Sequence, residues 1–186
     1  MYLFWTKGYE GTSISELTQE LGISAPSLYA AFGSKQELFT EAVAKYESDP
    51  RSITTAGQGG DSVAGVLEAM FDRAVEEYPN PSHPRGCLVN SDPMLAAERE
   101  QNRAITASRL REVAMNSDAA LEAETLAAYT HAVLVGLSLY ARDGASEQQL
   151  RQVARLAVQK VALNARCDDV DELPASPPMN TSKPAG

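Results

Sequence analysis

Apolar residues recur every three or four positions along almost the whole chain, and runs in which β-branched or aromatic residues alternate with polar ones do not occur. The pattern predicts an all-α protein. Gly8, Gly11, Gly22, Gly33, the stretch Ser48 to Gly60, the segment Pro79 to Gly86 and the pair Asp143-Gly144 divide it into separate helices. Near the C-terminal end, Leu121 to Tyr140 is apolar on more than one face through Leu126, Val133, Leu134, Val135, Leu137 and Leu139. Such a helix must be covered on several sides. The last helix is predicted from Glu147 to Asn164, opened by a Ser146/Gln149 capping box, with a stripe of Leu150, Val153, Ala154, Ala157 and Val161 widened by Leu156 and Leu163.

The region Ser13 to Phe39 carries the densest local chemistry. Ser13 and Glu16 have capping-box spacing ahead of a stripe of Ile14, Leu17 and Leu21, and Gly22 supplies a left-handed close after which Ile23 can fold back onto Leu17. Ser24 caps the next helix, where Pro26 falls in a first turn whose amides need no partner within the helix. Leu28 and Phe32 form its inner face, leaving Ala25, Ser27, Tyr29 and Ala30 outward. Gly33 stops it, and Ser34 with Glu37 predicts a capping box for a third helix with Leu38, Phe39, Ala42, Val43 and Tyr46 inside. Two short helices joined by Gly22-Ile23-Ser24 match a helix-turn-helix, whose second helix enters the major groove of DNA.

The motifs Gly8-Tyr9-Glu10-Gly11-Thr12-Ser13, Leu21-Gly22-Ile23-Ser24, Ser27-Leu28-Tyr29-Ala30-Ala31-Phe32 and Ser34-Lys35-Gln36-Glu37-Leu38-Phe39 closely resemble the N-terminal domain of tetracycline-repressor-like (TetR) regulators. The resemblance implies that Thr12 or Ser13, Tyr29 and Lys35 hold phosphates, and that Ala25, Pro26, Ser27 and Ala30, following the cap Ser24, face base edges. A helix N-terminus with a lysine and a phenol suits phosphate oxygens. Ala25, Pro26 and Ala30 offer only apolar contact, for instance to thymine methyls, so Ser27 is the one polar reader. The resemblance also implies a longer first helix preceded by a basic arm, and a longer loop around Asn116, than this sequence has. More weakly, Pro84-Arg85-Gly86-Cys87-Leu88 and Gly136 to Gly144 are similar to the family's C-terminal domain. That likeness implies an effector-binding, dimerising domain, and hence a repressor released from double-stranded operator DNA by an unknown small molecule. The chain then divides into a DNA-binding domain at 1–47, an effector and dimer domain at 48–167, and a disordered tail at 168–186.

Charge complicates this picture. The net charge is −9 and the isoelectric point about 4.7. Up to Pro50 only Lys7, Lys35 and Lys45 oppose Glu10, Glu16, Glu20, Glu37, Glu41, Glu47 and Asp49. Phosphate neutralisation supplies much of DNA affinity, so binding by this head must be local, and a helical interaction or redox-sensing module with weak DNA binding is the alternative. The sequence has no HExxH, no glycine-rich phosphate loop and no Ser/His/Asp context, with His83 and His131 as the histidines. It is therefore read as no enzyme, needing no cofactor or metal. No apolar run approaches the ~20 residues that span a bilayer. Met1 to Lys7 has no signal-peptide pattern, and Cys87 and Cys167 lack CxxC spacing, so a cytoplasmic protein without disulfides is expected.

Large central residues are the candidate effector-pocket liners: Met70, Phe71, Tyr78, Cys87, Met94, Tyr129 and His131. Each can equally be core. Cys87 has two readings, a thiol activated by the adjacent Arg85 and a nearby helix start, or a buried inert one. The candidate dimer face is Val133, Gly136, Leu139, Tyr140, Val153, Ala157 and Val161, with Gly136 either permitting a close helix crossing or merely tolerated.

Overall fold

The structure, a computed structural model, describes residues 1–114 and 119–168, and the side chains of these apart from 119–121 and 162–168. Of the predicted tail, Asp168 ends α10 and 169–186 lie outside the described residues, as do the connection at Asn116 and the side chains of Leu163 and Cys167. Every regular element among those described is helical. Helices α1 (Tyr2–Lys7), α2 (Ile14–Leu21), α3 (Ala25–Phe32) and α4 (Lys35–Glu47) form a head. The body contains α5 (Ile53–Gly57), α6 (Val63–Glu77), α7 (Leu88–Ser91), a 3₁₀ turn (Pro93–Leu95), α8 (Ala96–Val113), α9 (Ala119–Arg142) and α10 (Glu147–Asp168).

The head closes on few residues. Phe4 and Trp5 of α1, Leu17 of α2, Leu28 of α3 and Phe39, Ala42 and Val43 of α4 are buried, and Phe4 meets Phe39 edge-on at 5.0 Å between ring centroids. In the body, the α6 stripe Val66, Leu67, Met70, Phe71, Ala74 and Val75 is fully covered. Spacing of this kind gives a helix two buried flanks, which α5 and α10 cover while α8 lies along α9.

Several expectations shift. Leu21 is 46% exposed rather than inside, because it sits a turn beyond Leu17, on a surface groove shared with Tyr2, Phe4 and Leu38. Ser34 caps α4 by accepting from Glu37 N at 3.1 Å, but its own N–H donates to Phe32 O at 2.9 Å, so the reciprocal half of the capping box is replaced. The stretch Ser48 to Gly60 is not merely a break, since Ser52 accepts from Thr55 N and caps α5 there. Helix α10 runs to Asp168, one turn past its expected end, and its Ser146/Gln149 box is formed in both directions.

Candidate DNA interface and effector cavity

The α2–α3 unit is set by side chains within a few residues of each turn. Ser13 Oγ accepts from Glu16 N at 3.2 Å while Glu16 Oε2 accepts from Ser13 N at 2.8 Å. At the other end Gly22 is left-handed (φ 65°), its N–H donating to Gln19 O and that of Ile23 to Thr18 O, the paired bonds of a Schellman close. Ser24 then caps α3 by accepting from Ser27 N at 3.3 Å, and Leu28 is completely buried beneath it. This leaves Pro26, Ser27, Tyr29 and Ala30 exposed and Ala25 half-buried. Ser27 Oγ lies 2.8 Å from Ser24 Oγ, so the one polar residue among the expected base-edge positions shares its hydroxyl with the cap. Tyr29 is 47% exposed, and its hydroxyl has no partner among the described residues.

Charge at this surface is sparser than the residue count suggests. Lys7 pairs with Glu16, whose carboxyl is held down to about 2 chiefly by that lysine. Lys35, at the first position of α4, makes no ion pair with a described carboxylate; its ammonium stands 4.2 Å from the Tyr9 ring centroid, a cation–π contact. Thr12 does not present its side chain to the surface. It is 1% exposed and its hydroxyl donates to Gly8 O at 2.7 Å, because it ties the α1–α2 turn together. Of the pair Thr12 and Ser13, Ser13 alone is exposed.

A cavity of about 260 Å³ lies between head and body. Of the candidate liners, Tyr78, Cys87 and His131 stand on this cavity, together with Tyr46, Asn90, Arg99 and Asn102. The other candidate liners lie elsewhere. Met70 and Phe71 are 1% exposed in the body core, Met70 packing against Gly57 of α5. Met94 is 48% exposed on a separate surface groove. Tyr129 donates its hydroxyl to Ala157 O at 3.1 Å and so fastens α9 to α10. Arg99 and Asn102 sit in a polar run that reads as a solvated helix face, and only the packing of α8 turns them inward.

His131 is 8% exposed, with Nε2 3.0 Å from Thr106 Oγ1. That hydroxyl gives its proton to Asn102 O, which makes the histidine the donor. Burial, reinforced by Arg103, lowers the pKa of His131 to about 4. Cys87 is buried; Tyr46 donates to its Sγ at 3.3 Å, and its N–H donates to Ser138 Oγ at 2.8 Å. Burial pushes the thiol up, against the lowering effect of Tyr46. Arg85 does not activate it, because its guanidinium turns onto the carbonyls of Ala141 and Ala145 and caps the end of α9. The Val89 and Asn90 amides at the start of α7 also lower the thiol's pKa, but burial outweighs them, so the environment of Cys87 fits the buried, inert reading.

On α9 and α10, Leu139 (60%), Leu156 (57%), Val153 (43%), Val135 (41%) and Tyr140 (39%) are exposed. Gly136 is exposed, while Val133 and Val161 are half-buried. Ala157 is buried within the chain under Tyr129 and leaves the candidate dimer face, whereas Val135 and Leu156 join it.

The geometry is that of a helix-turn-helix head on a helical body that holds a cavity against the head's last helix. Residues 1–42 match the family described as bacterial regulatory proteins of the tetR family. Over 171 residues the chain is 28% identical to the HTH-type transcriptional repressor ComR of Escherichia coli (strain K12), covering 83% of this chain and 81% of that repressor. Among solved structures, it is similar to a cysteine mutant of the TetR family transcriptional regulator CifR complexed with double-strand operator DNA. That match has a TM-score of 0.77 and 32% identity, over 85% of this chain and 91% of that one. A TetR regulator from Rhodococcus sp. RHA1, described by its solvers as putative, is 33% identical with a TM-score of 0.54, over 86% of this chain and 93% of that one. The chain belongs to the TetR family of helix-turn-helix transcriptional regulators.

Proposed function

We propose that this chain is a repressor which binds double-stranded operator DNA as a homodimer, and which a small molecule entering the cavity releases. The observation that carries the reading is the outward face of α3, where Pro26, Ser27, Tyr29 and Ala30 stand clear of the head core in a fold whose neighbour CifR was solved on operator DNA. Ser13, Tyr29 and Lys35 hold phosphates; Ala25, Pro26, Ser27 and Ala30, with the cap Ser24 fixing their register, meet base edges. The exposed apolar residues of α9 and α10 supply the dimer face, which places two α3 helices one DNA turn, roughly 34 Å, apart. An effector acts by binding the DNA-free arrangement better than the bound one. The regulator works in the cytoplasm and without a catalytic step; no helix among the described residues is long and apolar enough to cross a membrane.

The test is a gel shift of the full chain against the region upstream of its own gene at two salt concentrations, with Tyr29→Phe alongside. A specific, salt-sensitive complex is expected. Losing a hydrogen bond to a charged oxygen is worth ~1.5–3 kcal/mol, so Tyr29→Phe weakens binding about tenfold or more on every sequence tried. Unchanged affinity removes Tyr29 from the interface, and absence of any specific complex overturns the repressor reading.

A further inference from the structure

The chain links head and body covalently only past Glu47, at the end of α4. Across the junction lie contacts of two physical kinds. Trp5 stacks on His83 at 4.7 Å between centroids. Aromatic faces of this sort can slide with little loss, because dispersion is not directional. Directional contacts are the bonds from Tyr46 Oη to Cys87 Sγ, from Asn102 Nδ2 to Glu47 Oε1 and from Tyr2 Oη to Ser82 O, together with those made at the α1–α2 turn.

There Asp92, 3% exposed between α7 and the 3₁₀ turn, accepts from Tyr9 N at 2.5 Å through Oδ2 and from Met94 N at 2.9 Å through Oδ1. Gly8, at φ 73°, lies so close that a side-chain carbon on it would stand 3.3 Å from Oδ2. The backbone of Asp92 is itself held. Arg99 Nη1 donates to Asp92 O and to Val89 O, both at 2.7 Å. Arg99 makes no ion pair among the described residues, and it lines the cavity. From the other side Arg142, the last residue of α9, donates from Nη2 to Trp5 O at 2.5 Å. A buried carboxylate fixed by two N–H donors has few alternative arrangements, since each unmade bond leaves a desolvated charge.

We propose that Asp92 is a positioning residue that fixes the angle of the head on the body, and that Arg99, holding Asp92 from the cavity wall, couples what occupies the cavity to that angle. The coupling rests on the operator-binding reading above. An occupant whose oxygen draws the Arg99 guanidinium off the two carbonyls loosens Asp92, and with it the α1–α2 turn that carries Thr12 and Ser13.

The experiment follows amide hydrogen exchange by NMR in the full chain, and operator affinity by gel shift, for Asp92→Ala, Asp92→Asn and Arg99→Met. Asp92→Ala is expected to speed exchange at Tyr9 and along the α1–α2 turn while the buried stretches of α9 and α10 keep wild-type rates. If the head then spends about a tenth of its time at the competent angle, specific affinity falls about tenfold while non-specific DNA affinity is unchanged. Asp92→Asn keeps an oxygen for only one of the two donors, Tyr9 N or Met94 N, and turns an NH2 toward the other, so it recovers only part of both readouts. Arg99→Met, which removes no group from the head, reproduces the Asp92→Ala pattern and serves where that variant fails to fold. Wild-type exchange at Tyr9 in the folded variants, or acceleration spread evenly through the body, overturns the proposal. If the wild-type chain binds no operator yet the exchange pattern appears, the repressor reading fails and the positioning role of Asp92 stands.

Discussion

Acidification should destabilise this protein through one histidine. His131 has a pKa of about 4 in the fold against 6.5 for a free histidine, because burial disfavours its charged form. Between these values the unfolded chain binds a proton that the folded chain does not. Stability therefore rises with pH in that window, is complete above the unfolded value and is lost as pH falls toward the folded one. With 1.36 kcal/mol per pKa unit the whole effect is about 3 kcal/mol, of which about 2 kcal/mol is lost between about pH 7 and about pH 5. Other groups titrate in the same range, so the measurement is a difference. Urea unfolding of the wild type and of His131→Gln, which stays neutral and keeps an N–H for Thr106, is followed by circular dichroism across that range. The wild type should lose about 2 kcal/mol more than the variant on acidification. Parallel curves for the two proteins would refute a buried neutral histidine at this position.

Two further substitutions test the packing and the assembly. Gly86→Ala must hold an alanine at φ 81° with its Cβ 2.8 Å from Ser138 O, so a loss of about 1–3 kcal/mol is expected in urea unfolding; an unchanged midpoint would show that the crossing relaxes freely. Leu139→Asp, at a position 60% exposed in the single chain, should leave helicity unaltered but weaken dimerisation at least tenfold, about 1.4 kcal/mol, as read by sedimentation velocity; a dimer as tight as wild type would take Leu139 out of the interface.

What could be read from the sequence was whatever physics confines to one turn. Ser13, Gly22 and Ser24 act on amides three or four residues away, and the structure forms each of these bonds as the spacing predicts. The Ser34 cap was legible by the same rule, though only in part, because Ser34 N–H finds Phe32 O instead of the Glu37 carboxylate. The cavity obeys no such rule. Its walls come from α4 to α9, and whether a large residue lines it depends on helix phase, which sends Met70 against Gly57 and Tyr78 into the cavity. Neighbourhood in sequence also misleads for Arg85, which lies two residues from Cys87 and yet caps α9 with its guanidinium. Ala157 shares an apolar stripe with Val153, but α10 turns one toward Tyr129 and the other toward solvent.

The pairing of Lys7 with Glu16 and the resting place of Lys35 on Tyr9 bear on how the protein searches. Affinity for arbitrary DNA scales with the number of phosphates a protein neutralises, each contributing a slope of about −0.9 against the logarithm of salt. If the proposed reading holds, residues 1–47, with one lysine beside α3 that pairs with no described carboxylate, contribute little to the hold of the bulk of a chromosome on the protein. On that reading, in which α3 meets base edges, few copies are then sequestered on irrelevant sites, and the occupied fraction of the operator follows the fit of a small, largely apolar surface to its base pairs rather than the pull of the polymer as a whole.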